Sequence, residues 1–307
     1  MVHIPLAMTT DYLKDDDDPR PYLQKITEAG FSHIHWGHQW NSDYIYLDNE
    51  IDLVKNGLNE YHLQVYAIHG STGREHCWYS HIENQRLAGV ELVKNRIRMA
   101  GRICSPTVIM HISMGPRTEA ARAKFLTRLY RSLDSLQPYA AHFGVRLALE
   151  NEVQWDQLAR IKTAAPVSIA RKMALLEDNF SLISQVLANY GPDYLGLCYD
   201  SGHGNIGRDR TDRLAPLTER LIAVHLHDND GSGDQHRLPF EGSVNWAEVT
   251  RIIAASPHVE TLCIESQISQ DAAWDEAVFL KQARQAGESL AGMVNLQPQS
   301  ELRAVKF

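Results

Sequence analysis

The chain has 307 residues, 44% of them hydrophobic, enough to bury one large core, so a single globular domain is expected. A formal net charge of -8 suits a protein that handles small molecules and argues against a nucleic-acid binder, which carries a basic face. The four cysteines show no C-x-x-C spacing, and Cys198 and Cys263 lie inside apolar runs, so a reducing compartment is expected rather than a thiolate site. No charged-then-apolar segment opens the chain and no run of about 18 apolar residues occurs, so a cytoplasmic protein with no membrane partner is expected.

In chain order, short apolar runs alternate with longer amphipathic stretches. The expected strands are His3 to Met8, His33 to Gly37, Leu63 to His69, Thr107 to Ile112, Val145 to Glu150, Leu195 to Asp200, Ile222 to His227 and Thr261 to Glu265. Helical stretches between them include Pro21 to Ala29, Gln85 to Ile103, Glu119 to His142, Val167 to Asn189, Trp246 to Ala255 and Ala272 to Ala286. Gly30, Gly144 and Gly191 follow amphipathic runs as helix C-caps would. Eight such units close most economically into an α/β (β/α)8 TIM barrel. A doubly wound open sheet is the competing topology, but its glycine-rich first turn is missing. One domain over 1–307 is expected, with a C-terminal extension after about residue 290. The acidic run Asp15 to Asp18 reads as a solvated loop, because it lacks the spaced ligands and glycine of a calcium loop.

In such a barrel, function gathers at the C-terminal ends of the strands. There the chain places His69, His111, Glu150, Asp200 with His203, His225 with His227, and Glu265, followed by a loop carrying Asp234-Gln-His236. Singly, a strand-end carboxylate is an ordinary loop ion pair, and a lone histidine is an ordinary hydrogen-bonded residue. It is the succession over strands five to eight that points to a metal held by Glu150, Asp200, His225 and Glu265. This mixed oxygen and nitrogen set suits Mn, Zn, Co or Mg rather than a thiolate metal. His225 and His227 share a face of their strand, so the choice between them is open, with His225 preferred. His69, His111, His203, Asp234 and His236 are candidates for further ligation or for substrate hydrogen bonds. Trp36 and Trp40, with His35 and His38 beside them, are candidate stacking surfaces for a sugar's C–H face.

With these residues in view the chain resembles the sugar isomerase and epimerase proteins with a xylose-isomerase-like barrel, a superfamily that includes the endonuclease-IV-type apurinic nucleases. The resemblance rests on Leu147-Ala-Leu-Glu-Asn151, Cys198-Tyr-Asp-Ser-Gly-His-Gly-Asn205, Val224-His-Leu-His-Asp-Asn229, Asp234-Gln-His236, Gly242-Ser-Val-Asn-Trp246 and Cys263-Ile-Glu265, with Leu92 to Ala100 in support. It implies one divalent ion on Glu150, Asp200, His225 and Glu265. The three-zinc nuclease pattern looks like the additional positions His69, His111, His203, Asp234 and His236, so one to three ions per chain are expected. Manganese or zinc leads, with cobalt or magnesium as alternatives.

The resemblance further implies that Glu150 and Glu265 exchange a proton beside the carbonyl of a keto sugar, polyol or keto-glycoside. His203 would bind a hydroxyl or relay a proton, and His69, His111, His227, Trp36 and Trp40 would contact substrate. A lyase or dehydratase using the same metal and base is the first alternative. An apurinic phosphodiesterase is the second, disfavoured because the loops after His69 and His111 carry few of the Lys and Arg side chains that DNA affinity needs. The expected partner is therefore a small carbohydrate rather than nucleic acid, with homo-oligomerisation left open.

Overall fold

The computed structural model describes residues 3–13, 19–113, 118–153, 179–206, 211–268 and 275–297. Parallel strands close a barrel in chain order: β1 (Leu6–Thr9), β2 (His33–Trp36), β3 (Gln64–His69), β4 (Thr107–His111), β5 (Arg146–Glu150), β6 (Leu195–Asp200), β7 (Leu221–Leu226) and β8 (Leu262–Ile264). Pairs Leu6↔Leu262 and Met8↔Ile264 join the last strand to the first, so no edge is left open. Around the barrel lie α1 (Arg20–Glu28), α2 (Asp48–Glu60), α3 (Glu83–Arg102), α4 (Glu119–Phe143), α5 (Phe180–Leu187), α6 (Ser201–Ile206), α7 (Trp246–Ala255) and α8 (Glu276–Asn295). The expected eight-stranded α/β barrel is what forms. Among the described residues no helix is long and apolar enough to cross a membrane.

The strands are apolar throughout because both of their faces are covered. Outward residues such as Ile34, Leu147, Leu197 and Val224 join the main core beneath the helices, whereas Ala7, Ala67, Ala148, Cys198, Ala223 and Cys263 fill the barrel interior. This inner layer sets up the site. Strand side chains repeat every second residue, so two positions beyond Ala67, Ala148, Cys198, Ala223 and Cys263 stand His69, Glu150, Asp200, His225 and Glu265 on the same face. Small residues below leave room for the polar layer above.

The structure moves several expected elements. Strand pairing begins at Leu6 rather than His3. Helix α2 was not anticipated; its buried Ile51, Val54 and Leu58 form the apolar stripe. Gly30 and Gly144 adopt left-handed φ of 91° and 65° where α1 and α4 stop, whereas Gly191 is absent from the positive-φ residues and follows α5 without capping it in this way. Of the helix expected over 167–189, only 179–189 is described, and α5 occupies its centre. Helix α8 spans Glu276–Asn295, with Leu290 fully buried. The acidic run 15–18, residues 114–117, 272–274 and 298–307 lie outside the described residues.

Candidate metal centre

The strand-end carboxylates and imidazoles converge. Glu150 and Glu265 are 2% and 9% exposed, and Asp200 and His225 are fully buried. His225 Nδ1 lies 3.4 Å from Glu150 Oε2 and 3.0 Å from Glu265 Oε2. Each of Glu150, Asp200, His225 and Glu265 offers a ligand atom, and these atoms all fall within 4.8 Å of one another. Neither ring nitrogen of His225 nor Glu150 Oε2 has a hydrogen-bond partner. Leaving a buried polar atom unpaired costs about 1–3 kcal/mol, which a cation bonded to these atoms would remove. The donor set and its unpaired atoms thus fit a divalent ion.

The histidines around this centre are oriented by their second nitrogens. His69 Nδ1 faces the Gly70 carbonyl at 3.0 Å, His203 Nδ1 the Asn151 carbonyl at 2.9 Å and His236 Nδ1 the Glu265 carbonyl at 2.7 Å. A carbonyl only accepts, so each Nδ1 carries the proton and each Nε2 is turned to the other groups of the site. His69 Nε2 meets His111 Nε2 at 3.1 Å, and His111 in turn lies 3.3 Å from Glu150 Oε2 and 2.7 Å from Glu152 Oε1. His69, His111 and Glu150 form a second group with ligand spacing. On the opposite side His236 Nε2 is 2.9 Å from Asp234 Oδ2, and His203 Nε2 is 3.8 Å from the same oxygen.

Electrostatics divides these groups. Burial pushes the Glu150 carboxyl up, but His225 and His111 outweigh it and hold it well below the usual carboxylate range. Asp200 is likewise pushed up by burial yet brought down to about 2 by His203 and His227. Burial lowers His111, but Glu152 and Glu150 raise it to about 10. His69, with burial and the His111 charge acting together, falls to about 3, and His35 falls well below its ordinary value through burial and its neighbours His225 and His69. Burial also opposes the charge on His236, which Asp234 raises to about 9.

A cavity of about 360 Å³ opens above this layer, lined by His69, His111, Glu150, His203, Asp234, His236 and Glu265 together with Thr9, Asp11, Gly37, Trp40, Glu152 and Gln267. Two expected contacts do not reach it. Trp36 is 1% exposed, packs in the main core and donates its indole N–H to Tyr46 Oη at 3.0 Å. Its neighbour His35 takes the inward direction instead, as strand alternation requires. His227 is fully buried beneath the cavity, with Nε2 3.0 Å from Asp200 Oδ2 and its ring stacked on His236 at 4.0 Å. Space for that ring depends on Gly202, where a Cβ would sit 2.0 Å from His227 Cε1. The geometry therefore puts His225, not His227, between the two glutamates.

The sequence assigns no role of their own to His35, Glu152 and Asp228. Glu152 shares a face with Glu150 two residues earlier, a signal that could have found it. Asp228, fully buried, accepts from the Asn229 and Val244 N–H groups at Oδ1 and from Phe240 N–H and the Trp246 indole at Oδ2. With the paired backbone of Asp228 and Arg237 it pins the loop that presents Asp234 and His236. That loop is thus anchored at its base.

Known proteins place this architecture. The protein y4fM of Sinorhizobium fredii (strain NBRC 101917 / NGR234) is 30% identical over 277 residues, 83% of each chain. Among solved structures, a D-tagatose 3-epimerase-like protein superposes with a TM-score of 0.73 at 18% identity, covering 95% of this chain and 98% of its own. An L-ribulose 3-epimerase gives 0.71 at 19% identity and 99% coverage of both chains. Residues 23–291 match the family described as xylose isomerase-like TIM barrel. By that match and by the closed barrel itself, the chain belongs to the xylose isomerase-like TIM barrel family.

Proposed function

We propose that this chain is a divalent-metal-dependent epimerase or isomerase of a monosaccharide-sized keto sugar. The observation that carries this reading is the pair Glu150 and Glu265, set on either side of His225 and both open to one cavity. A divalent ion held by Glu150, Asp200, His225 and Glu265 would polarise the sugar carbonyl and offset the negative charge that develops there when a neighbouring carbon loses its proton. One glutamate accepts that proton and the other returns it: to the opposite face of the same carbon for epimerisation, or to the next carbon for isomerisation. His203, with Nδ1–H committed to Asn151, directs Nε2 to a hydroxyl or a moving proton. Trp40 covers the far wall, its ring 4.8 Å from His69 and 5.1 Å from His111, and offers a flat apolar surface to C–H groups. The neighbours named as an L-ribulose 3-epimerase and a D-tagatose 3-epimerase-like protein share the fold and support the reading.

The cavity lies near the small end of ligand sites, which run roughly 300–1,000 Å³. Among its described lining residues are Asp11, Glu150, Glu152, Asp234 and Glu265 but no Lys or Arg, a charge balance suited to an unphosphorylated sugar, polyol or keto-glycoside. The grouping of His69, His111 and Glu150 favours a second reading, hydrolysis with several ions, and the same acidic lining opposes a DNA substrate.

Two measurements separate these. Incubated in D2O with its keto sugar, the enzyme is expected to place deuterium beside the carbonyl as the epimer forms. Cleavage of abasic DNA with no sugar product across a broad ketose panel would discard the epimerase reading, and exchange with loss of a group would move it to a lyase. Replacing His236 with Ala is expected to lower the total metal content or weaken substrate binding while one ion per chain stays in place, as read by elemental analysis of desalted protein. A metal-free His236→Ala protein would show that the two ligand groups are not separable.

A further inference from the structure

His35 stands at the end of β2, beside Thr9 of β1 and Ala67 of β3, and points into the barrel beneath the cavity floor. It is fully buried, and neither ring nitrogen makes a hydrogen bond. An imidazole with two unpaired nitrogens in such a place is penalised by burial, where an apolar ring would not be. Its surroundings say what it meets. Nδ1 lies 3.5 Å from Glu265 Oε1, and the ring centre is 4.5 Å from that of His225. Ligand atoms of His35, His225 and Glu265 fall within 4.8 Å of one another. Donors around a common ion at about 2.0–2.2 Å lie no more than about 4.4 Å apart, and the spacing of these three is compatible with one shared ion.

We propose that His35 is a metal ligand, giving the ion on His225 and Glu265 a second imidazole from below. This rests on the reading of Glu150, Asp200, His225 and Glu265 as a metal centre but not on the reaction it performs. Two imidazoles shift the site's preference from magnesium and manganese toward zinc and cobalt, since nitrogen donors suit the later metals.

The test uses the full chain loaded with zinc alone. Crystals measured at the zinc absorption edge are expected to show an ion about 2.0–2.1 Å from a ring nitrogen of His35. In solution His35→Phe, which keeps an aromatic ring but removes both nitrogens, is expected to weaken zinc binding about tenfold or more and magnesium binding far less, with unchanged circular dichroism. Zinc ions all more than about 3 Å from His35 would overturn the proposal. Unchanged zinc affinity in His35→Phe would overturn it equally. If that variant fails to fold, the wild-type crystal distance decides alone. Absence of sugar chemistry would sink the epimerase reading without touching this one.

Discussion

Glu150→Gln and Glu265→Gln are each expected to lower turnover of the keto sugar by at least about 10²-fold, or roughly 2.7 kcal/mol of barrier. Each substitution keeps the side-chain volume but replaces one oxygen by an N–H donor and removes the basic electron pair that takes the proton. The loss should exceed that of a general base alone at Glu150, because its Oε2 also lies 3.3 Å from His111 Nε2, which faces it as a donor when that ring is charged. An amide there sets donor against donor. Circular dichroism and melting separate a lost base from a lost fold, and metal content separates it from a lost ligand. Either variant retaining more than about a tenth of wild-type activity with metal still bound would remove that glutamate from proton transfer.

How much of this was legible in the sequence depended on which rule governed each residue. The strand ends could be read because an apolar run stopping at an acid or imidazole has few structural uses, and the alternation from Ala148 to Glu150 or Cys263 to Glu265 is local. That rule also held the warning about Trp36. Adjacent residues on a strand face opposite ways, so His35 and Trp36 could not both line the site, and the strand register, with its shift between Ile34 and His35, turned the histidine inward. Helix α2 was hidden by polar composition and by Gly57. The glycine is explained only by packing: a Cβ there would approach Leu23 Cδ1 to 3.2 Å. Asn179 left no sequence signal at all, yet it accepts from Glu152 N–H at 2.9 Å and donates to the Ile112 carbonyl at 2.9 Å, tying the ends of β4 and β5 together. Such contacts join distant segments, and no local period encodes them.

Asp228→Ala is expected to destabilise the protein by about 3–5 kcal/mol, seen as a fall in Tm on the order of 10 °C. The side chain answers four N–H donors inside a fully buried site, and Ala would leave all four without that acceptor. Asn is expected to rescue little. Its carbonyl can serve Asn229 and Val244, but its amide would then face the Phe240 N–H and the Trp246 indole, donor against donor. Adding Trp246→Phe to Asp228→Asn removes one of those donors, so the double variant should lose less than the sum of the single losses. The functional consequence follows from the same contacts. Asp228 anchors the loop bearing Asp234 and His236, while Glu150, Asp200, His225 and Glu265 are set at the ends of β5, β6, β7 and β8 and do not depend on it. The Asp228 variants should therefore keep one tightly held ion below their melting temperature and lose affinity for substrate or for any further ion. A melt within about 1 °C of wild type, or loss of all metal from a folded variant, would show that the anchor and the metal centre are not divided in this way.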